Sequence, residues 1–124
     1  MAKEILIVED EEDILELISI ILKNIIDYAI FCARSGEEAL NIARAHVPDI
    51  ILLDIQLPGL NGYEVCKLLK SESATSHSKV LMLSGMSQQV DQLKAWEVGA
   101  DDYITKPFSS TILIEKVVAL LVGG

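Results

Sequence analysis

Asp54 is the residue in this sequence whose surroundings are hardest to explain without chemistry. It ends the apolar run Ile50-Ile51-Leu52-Leu53, so a lone carboxylate stands at the end of what reads as a buried strand. A second apolar run, Ile5-Leu6-Ile7-Val8, leads into five acids, Glu9-Asp10-Glu11-Glu12-Asp13. Taken alone, those acids describe the negative first turn of a helix, which the helix dipole favours. With Asp54 on a neighbouring strand about 4.8 Å away, three carboxylates converge, and like charges in a shared site raise one another's pKa unless something compensates. A hard divalent cation with oxygen ligands does so, and Mg2+ (or Mn2+) suits a site with few protein oxygens and several retained waters.

Two further residues complete the set. Ser84 closes the apolar run Val80-Leu81-Met82-Leu83, and Lys106 precedes Pro107 in Asp102-Tyr103-Ile104-Thr105-Lys106-Pro107-Phe108. An X-Pro bond at that point can be held cis and aim the lysine inward. A cation, an ammonium and a hydroxyl around one free carboxylate meet the needs of phosphoryl transfer to that carboxylate. Metal and lysine neutralise the equatorial oxygens of the transferring group, and Asp54 attacks in line as the nucleophile.

The elements that must position these residues follow from periodicity. The three runs above together with Tyr103-Ile104 read as strands covered on both faces, hence a parallel sheet, and Tyr28-Ala29-Ile30-Phe31-Cys32 reads as a fifth strand at an edge. Between them, Ile14, Leu17, Ile18, Ile21, Leu22 and Ile25 recur at helical spacing, as do Ala39, Leu40 and Ala43. Ser35-Gly36-Glu37-Glu38 has the form of a capping box, with Pro48 at the exit of that helix. Asn61-Gly62 and Ser87 are the expected starts of the third and fourth helices, and Phe108-Ser109 opens the fifth, which turns Leu113, Val117, Leu120 and Leu121 inward. The string is (βα)5, an α/β doubly wound parallel sheet of flavodoxin-like order 2-1-3-4-5 with helices on both faces, one domain over residues 1–124. Ligands of such sheets bind beyond the carboxyl ends of the strands, where Glu9, Asp10, Asp54, Ser84 and Lys106 share one rim.

Composition removes other classes. The chain has 124 residues, 51% of them hydrophobic, enough for one ordinary globular core. Ten basic against 19 acidic residues give a formal charge of −9, which repels nucleic acid and anionic membrane surfaces, so neither is expected as a direct partner. No apolar stretch approaches the roughly 20 residues of a membrane span, and no signal peptide is visible. Cys32 and Cys66 match no metal or redox pattern and read as reduced thiols of a cytoplasmic protein.

From Lys3 to Leu121 the chain resembles a response-regulator receiver domain of two-component signalling, the CheY-like phosphoacceptor family. The resemblance rests on Ile7-Val8-Glu9-Asp10-Glu11, Asp54-Ile55-Gln56-Leu57-Pro58-Gly59, Leu83-Ser84-Gly85 and Gly99-Ala100-Asp101-Asp102-Tyr103-Ile104-Thr105-Lys106-Pro107-Phe108. It implies that Asp54 takes a phosphoryl group from a histidine kinase or phosphotransfer protein and later loses it by hydrolysis. It implies Asp10 as a direct metal ligand, Glu9 as its partner acting directly or through water, and Gln56 as the donor of a backbone carbonyl. Ser84 resembles the switch hydroxyl, Lys106 the cation that pairs with the phosphoryl group, and Tyr103 the aromatic switch. The implied output surface is helix 4, strand 5 and helix 5, contacting a downstream protein or a second copy. Glu9 stands where many members have Asp, and Gly85 where Ala is common.

Rival readings fit less well. A flavodoxin-like ligand-binding module needs a phosphate-holding loop after strand one, where this chain has Glu9-Asp10-Glu11-Glu12. A metal-dependent phosphatase would place a second acid two residues beyond its nucleophile, where this chain has Gln56, so turnover of an external substrate is not expected. On helix four, Val90 and Leu93 mark the expected inward stripe, which leaves Trp96, the single tryptophan, partly exposed near Tyr103.

Overall fold

The five apolar runs read as strands in the sequence all form strands. The computed structural model describes residues 3–24, 27–85 and 89–123, the side chains of 89–92 excepted. Its elements alternate: β1 (Lys3–Val8), α1 (Glu12–Lys23), β2 (Tyr28–Ala33), α2 (Gly36–His46), β3 (Ile50–Asp54), α3 (Gly62–Ser71), β4 (Lys79–Ser84), α4 (Gln89–Glu97), β5 (Asp102–Thr105) and α5 (Ser110–Val122). The five strands pair in the order β2-β1-β3-β4-β5, every pair parallel. Every residue of β3 is buried, as a central strand covered on both faces requires.

Alternation along the strands divides the core into two layers. Leu6, Val8, Ile51, Leu53, Val80 and Met82 face α2, α3 and α4, whereas Ile5, Ile7, Ile50, Leu52, Leu81 and Leu83 face α1 and α5. Helix ends follow local chemistry. The Asn61 side chain accepts from Glu64 N–H while Glu64 accepts from Asn61 N–H, a complete capping box. At Ser35 only half of the expected box forms: Ser35 caps Glu38 N–H, but the Glu38 carboxylate accepts from Arg34 N–H, one residue further back. Ser109 caps α5 through Ile112 N–H. Ser87, the expected start of helix four, and Ile25 lie outside the described residues, as does the Val90 side chain.

Some helix faces depart from the expected stripes. In α1 the buried residues are Leu15, Ile18 and Leu22, and Leu17 is exposed; in α5 Leu113 and Val117 are buried, and Leu120 and Leu121 only partly so. In α4 Leu93 is 68% exposed, and Ala95 instead faces the core beside Ala100. Three-residue spacing rotates 60° per step away from a fixed face, so the stripe read through Leu93 drifts off the sheet, and the small Ala95 fills the contact.

Candidate functional site

Strand register brings the acids together. Val8 pairs with Leu53, so Glu9 and Asp54 emerge side by side from the carboxyl ends of β1 and β3. Ser84 pairs with Thr105 across β4 and β5, and Lys106 N–H donates to Ser84 O at 2.7 Å, which delivers the lysine to the same rim. The Lys106–Pro107 peptide is cis. Gly62 opens α3 against the end of β3: a Cβ there would collide with the Asp54 carbonyl oxygen and lie 2.7 Å from Ile55 Cα, so a side chain at 62 would push the helix off the site.

Lys106 Nζ donates to Glu9 Oε1 at 2.8 Å and to Asp54 Oδ2 at 3.1 Å. Asp54 Oδ1 accepts from Gln56 N–H at 3.1 Å, and Glu9 Oε2 from Glu11 N–H at 3.1 Å. Glu9, Asp54 and Ser84 are buried, whereas Asp10 and Gln56 are exposed. Burial raises the Glu9 pKa, against the lowering effect of the Lys106 and Glu11 hydrogen bonds, and the Asp54 charge adds to the rise. Burial works to lower the Lys106 pKa, but the Glu9 hydrogen bond and the Asp54 charge outweigh it, so the ammonium holds its proton above the ordinary lysine range. Ser84 Oγ donates a long bond of 3.5 Å to Ile104 O, which ties the hydroxyl to β5.

One oxygen each from Glu9, Asp10 and Asp54 lies within 4.8 Å of the others. Oxygens at that spacing can share an ion bound at about 2.0–2.6 Å, and the donor set is the hard one that Mg2+ prefers. Three carboxylates against one ammonium leave a formal excess of negative charge, which a divalent cation would neutralise.

The structure thus gathers Glu9, Asp10, Asp54, Gln56, Ser84 and Lys106 at one rim, with Tyr103 on β5 beside it, packed against Trp96. Sequence reasoning missed a neighbouring feature: Ile14, Leu17, Pro107 and Phe108 line an apolar groove of about 380 Å³ that runs up to Lys106. Its signal was available in Leu17, an apolar residue beside the inward positions of α1.

A doubly wound parallel sheet with a buried acid at the end of its third strand, flanked by acids and a lysine, is the arrangement that the fold and site present. Residues 5–118 match the response regulator receiver domain family, and the chain belongs to it. Among solved structures, the signal receiver domain of a signal transduction histidine kinase from Syntrophus aciditrophicus is 36% identical, with TM-score 0.90 over 98% of this chain and 92% of that one. The BeF3-activated receiver domain of DrrB, a Thermotoga maritima protein, is 33% identical, with TM-score 0.87 over 98% of each chain. Chemotaxis response regulator CheY4 of Vibrio cholerae is 26% identical, with TM-score 0.90 over 98% of this chain and all of that one. The family is one of signalling domains of two-component systems, not of enzymes in the usual sense. No helix among the described residues is long and apolar enough to cross a membrane.

Proposed function

We propose that Asp54 is the phosphoacceptor of a receiver comprising residues 1–124, charged by a histidine kinase or phosphotransfer protein in the cytoplasm. The observation that carries this is the placement of a buried carboxylate at a strand end with Lys106 at 3.1 Å and the oxygens of Glu9 and Asp10 within 4.8 Å. In the transfer, an Asp54 oxygen bonds to phosphorus while the P–N bond of the donor phosphohistidine breaks and its electron pair stays on the imidazole nitrogen. Hydrolysis adds water at phosphorus, releases inorganic phosphate and restores the carboxylate, so no external substrate is turned over.

Asp10 and Asp54, with the Gln56 carbonyl, would hold Mg2+, and Glu9 would join directly or through water. Bound there, Mg2+ supplies charge for the equatorial oxygens of the transferring group. Lys106 pairs with a phosphoryl oxygen, and Ser84 gives up its long bond to Ile104 O to donate to another. Tyr103 follows into the space vacated, which changes the surface of α4, β5 and α5 by a population shift rather than a new fold. That surface meets a downstream protein or a second copy. The donor must bring a phosphorylated imidazole up to Asp54, so it is a protein seated on the rim, where Ile14, Leu17, Pro107 and Phe108 offer apolar contact. The test is transfer of labelled phosphate from an autophosphorylated histidine kinase: the wild-type chain accepts label and Asp54→Asn does not. Equal labelling of Asp54→Asn would contradict the reading.

A further inference from the structure

At the amino ends of the strands, opposite the rim of acids, lies a cavity of about 250 Å³. Lys3 opens β1, Asp49 immediately precedes β3 and Lys79 opens β4, and the register of these three neighbouring strands sets all three residues around its mouth. The backbone beneath is fixed: Asp49 N–H donates to Glu4 O at 2.9 Å, Lys79 N–H to Asp49 O at 3.1 Å, and the buried Ser78 Oγ to Pro48 O at 2.6 Å. Asp49 spends one carboxylate oxygen on Glu4 N–H at 2.7 Å, and its other lies 3.9 Å from Lys3 Nζ, a loose contact. The Lys79 ammonium has no ion pair among the described residues. Two ammonium groups against one carboxylate make this opening locally positive in a chain whose formal charge is −9.

The rest of the wall is apolar, made by Val47, Pro48, Leu120 and Leu121. Val47 ends α2 in the left-handed region, at φ 48° and ψ 68°. A β-branched residue adopts that backbone at a cost, whereas glycine or asparagine ends a helix there cheaply. Strain of this kind is kept where the side chain has a use, and here the Val47 side chain is part of the cavity wall. We propose that the cavity binds a small organic carboxylate, its anionic group between Lys3 and Lys79 and its compact apolar body, a single ring or a branched chain, against Val47, Pro48, Leu120 and Leu121. The volume is below that of pockets for drug-sized ligands, which excludes a nucleotide. A free phosphate would leave the apolar walls unused and bring a second negative charge up to Asp49. The site stands at the other end of β3 from Asp54 and holds or fails independently of the phosphoacceptor reading.

The test is a titration of the wild-type chain with sodium benzoate, and separately with isocaproate, at constant ionic strength, followed in the proton–nitrogen spectrum. Both probes are expected to shift the amides of Lys3, Asp49, Lys79 and Leu121 saturably, with a Kd on the order of millimolar, as ligands so small allow. Benzamide, of the same shape without the charge, binds at least about fivefold more weakly. Lys3→Met and Lys79→Met each weaken benzoate about threefold, as partly exposed charges do. Val47→Gly removes one wall and weakens it by a similar factor, roughly threefold, although glycine suits the backbone there better. The contrary account is that the lysines only serve the carbonyl ends of α2 and α5, since Val47 caps the first and Leu120 and Leu121 belong to the last turn of the second. On that account neither probe shifts these amides saturably, and such a result overturns the proposal. So does benzamide binding as tightly as benzoate in the wild-type chain, or benzoate binding undiminished in the Lys3→Met/Lys79→Met double variant.

Discussion

Trp96 and Tyr103 meet edge to face, with ring centroids 5.9 Å apart and planes at 80°. The tryptophan projects from α4 and is 51% exposed, and the tyrosine belongs to β5 two residues before Thr105, the register partner of Ser84. The indole therefore reports on the strand that Ser84 also touches through Ile104 O. Beryllofluoride with Mg2+, mimicking the acyl phosphate, is expected to change Trp96 emission; Ser84→Ala weakens the change and Asp54→Ala abolishes it. An identical change in Asp54→Ala would show a signal unrelated to the site.

The same face carries a prediction about association. Trp96, Ile112 and Leu93 leave apolar surface exposed around β5, and Trp is enriched among residues that dominate interfaces. Sedimentation velocity with beryllofluoride is expected to show a heavier species than without it, and Ile112→Asp to remove that species. A monomer under both conditions would contradict self-association and leave only a different protein as the partner of this face.

Lys70 makes a stability prediction independent of the site. Its Nζ donates to Ser78 O at 2.8 Å and to Asp101 Oδ2 at 2.9 Å, and Asp101 Oδ2 also accepts from Val80 N–H at 2.7 Å. The ammonium thus ties the end of α3 to the loops before β4 and β5, in a partly buried setting. Lys70→Met strands these acceptors, and urea unfolding is expected to show a loss of about 1–3 kcal/mol. Phosphorylation of Asp54 should persist in that variant; a stability equal to wild type would contradict the account.

The two thiols should differ in reactivity. Cys66 is fully buried, its Sγ donates to Val98 O, and burial pushes its pKa up to about 11. Cys32 is only partly buried. At pH 8 iodoacetamide is expected to modify Cys32 in the folded protein and both thiols in urea, which peptide mapping would resolve. A raised thiol pKa favours the neutral form in the folded state, so the Cys66 contribution to stability is unchanged below the unfolded value of about 8.5 and falls as pH rises from there towards about 11. Rapid labelling of Cys66 without denaturant would contradict its burial.

The strands were legible because each is built on a short apolar run free of charge, and the acids were legible because they stand where those runs stop. Right-handed crossovers left two common sheet orders, and five units with helices on both faces favoured 2-1-3-4-5, and with it the meeting of Glu9 and Asp54. Helix faces were less legible. Leu93 and Leu17 have the residue type and spacing of inward positions, yet Ala95 and Leu15 take those places, since packing selects the residue that fits the gap and not the largest aliphatic. The Glu9–Lys106 pair was out of reach for a different reason: no local pattern links two side chains 97 residues apart, and which of two adjacent acids takes the lysine depends on angles set by the whole sheet.

Intact-mass analysis after incubation with acetyl phosphate and Mg2+ tests the central claim most directly. The wild-type chain should gain one phosphoryl group, lost on hydrolysis, while Asp54→Ala gains none and chelation of the metal suppresses the gain. A phosphoryl adduct of equal yield on Asp54→Ala, or none on the wild-type chain, would contradict the assignment of Asp54 as the phosphoacceptor.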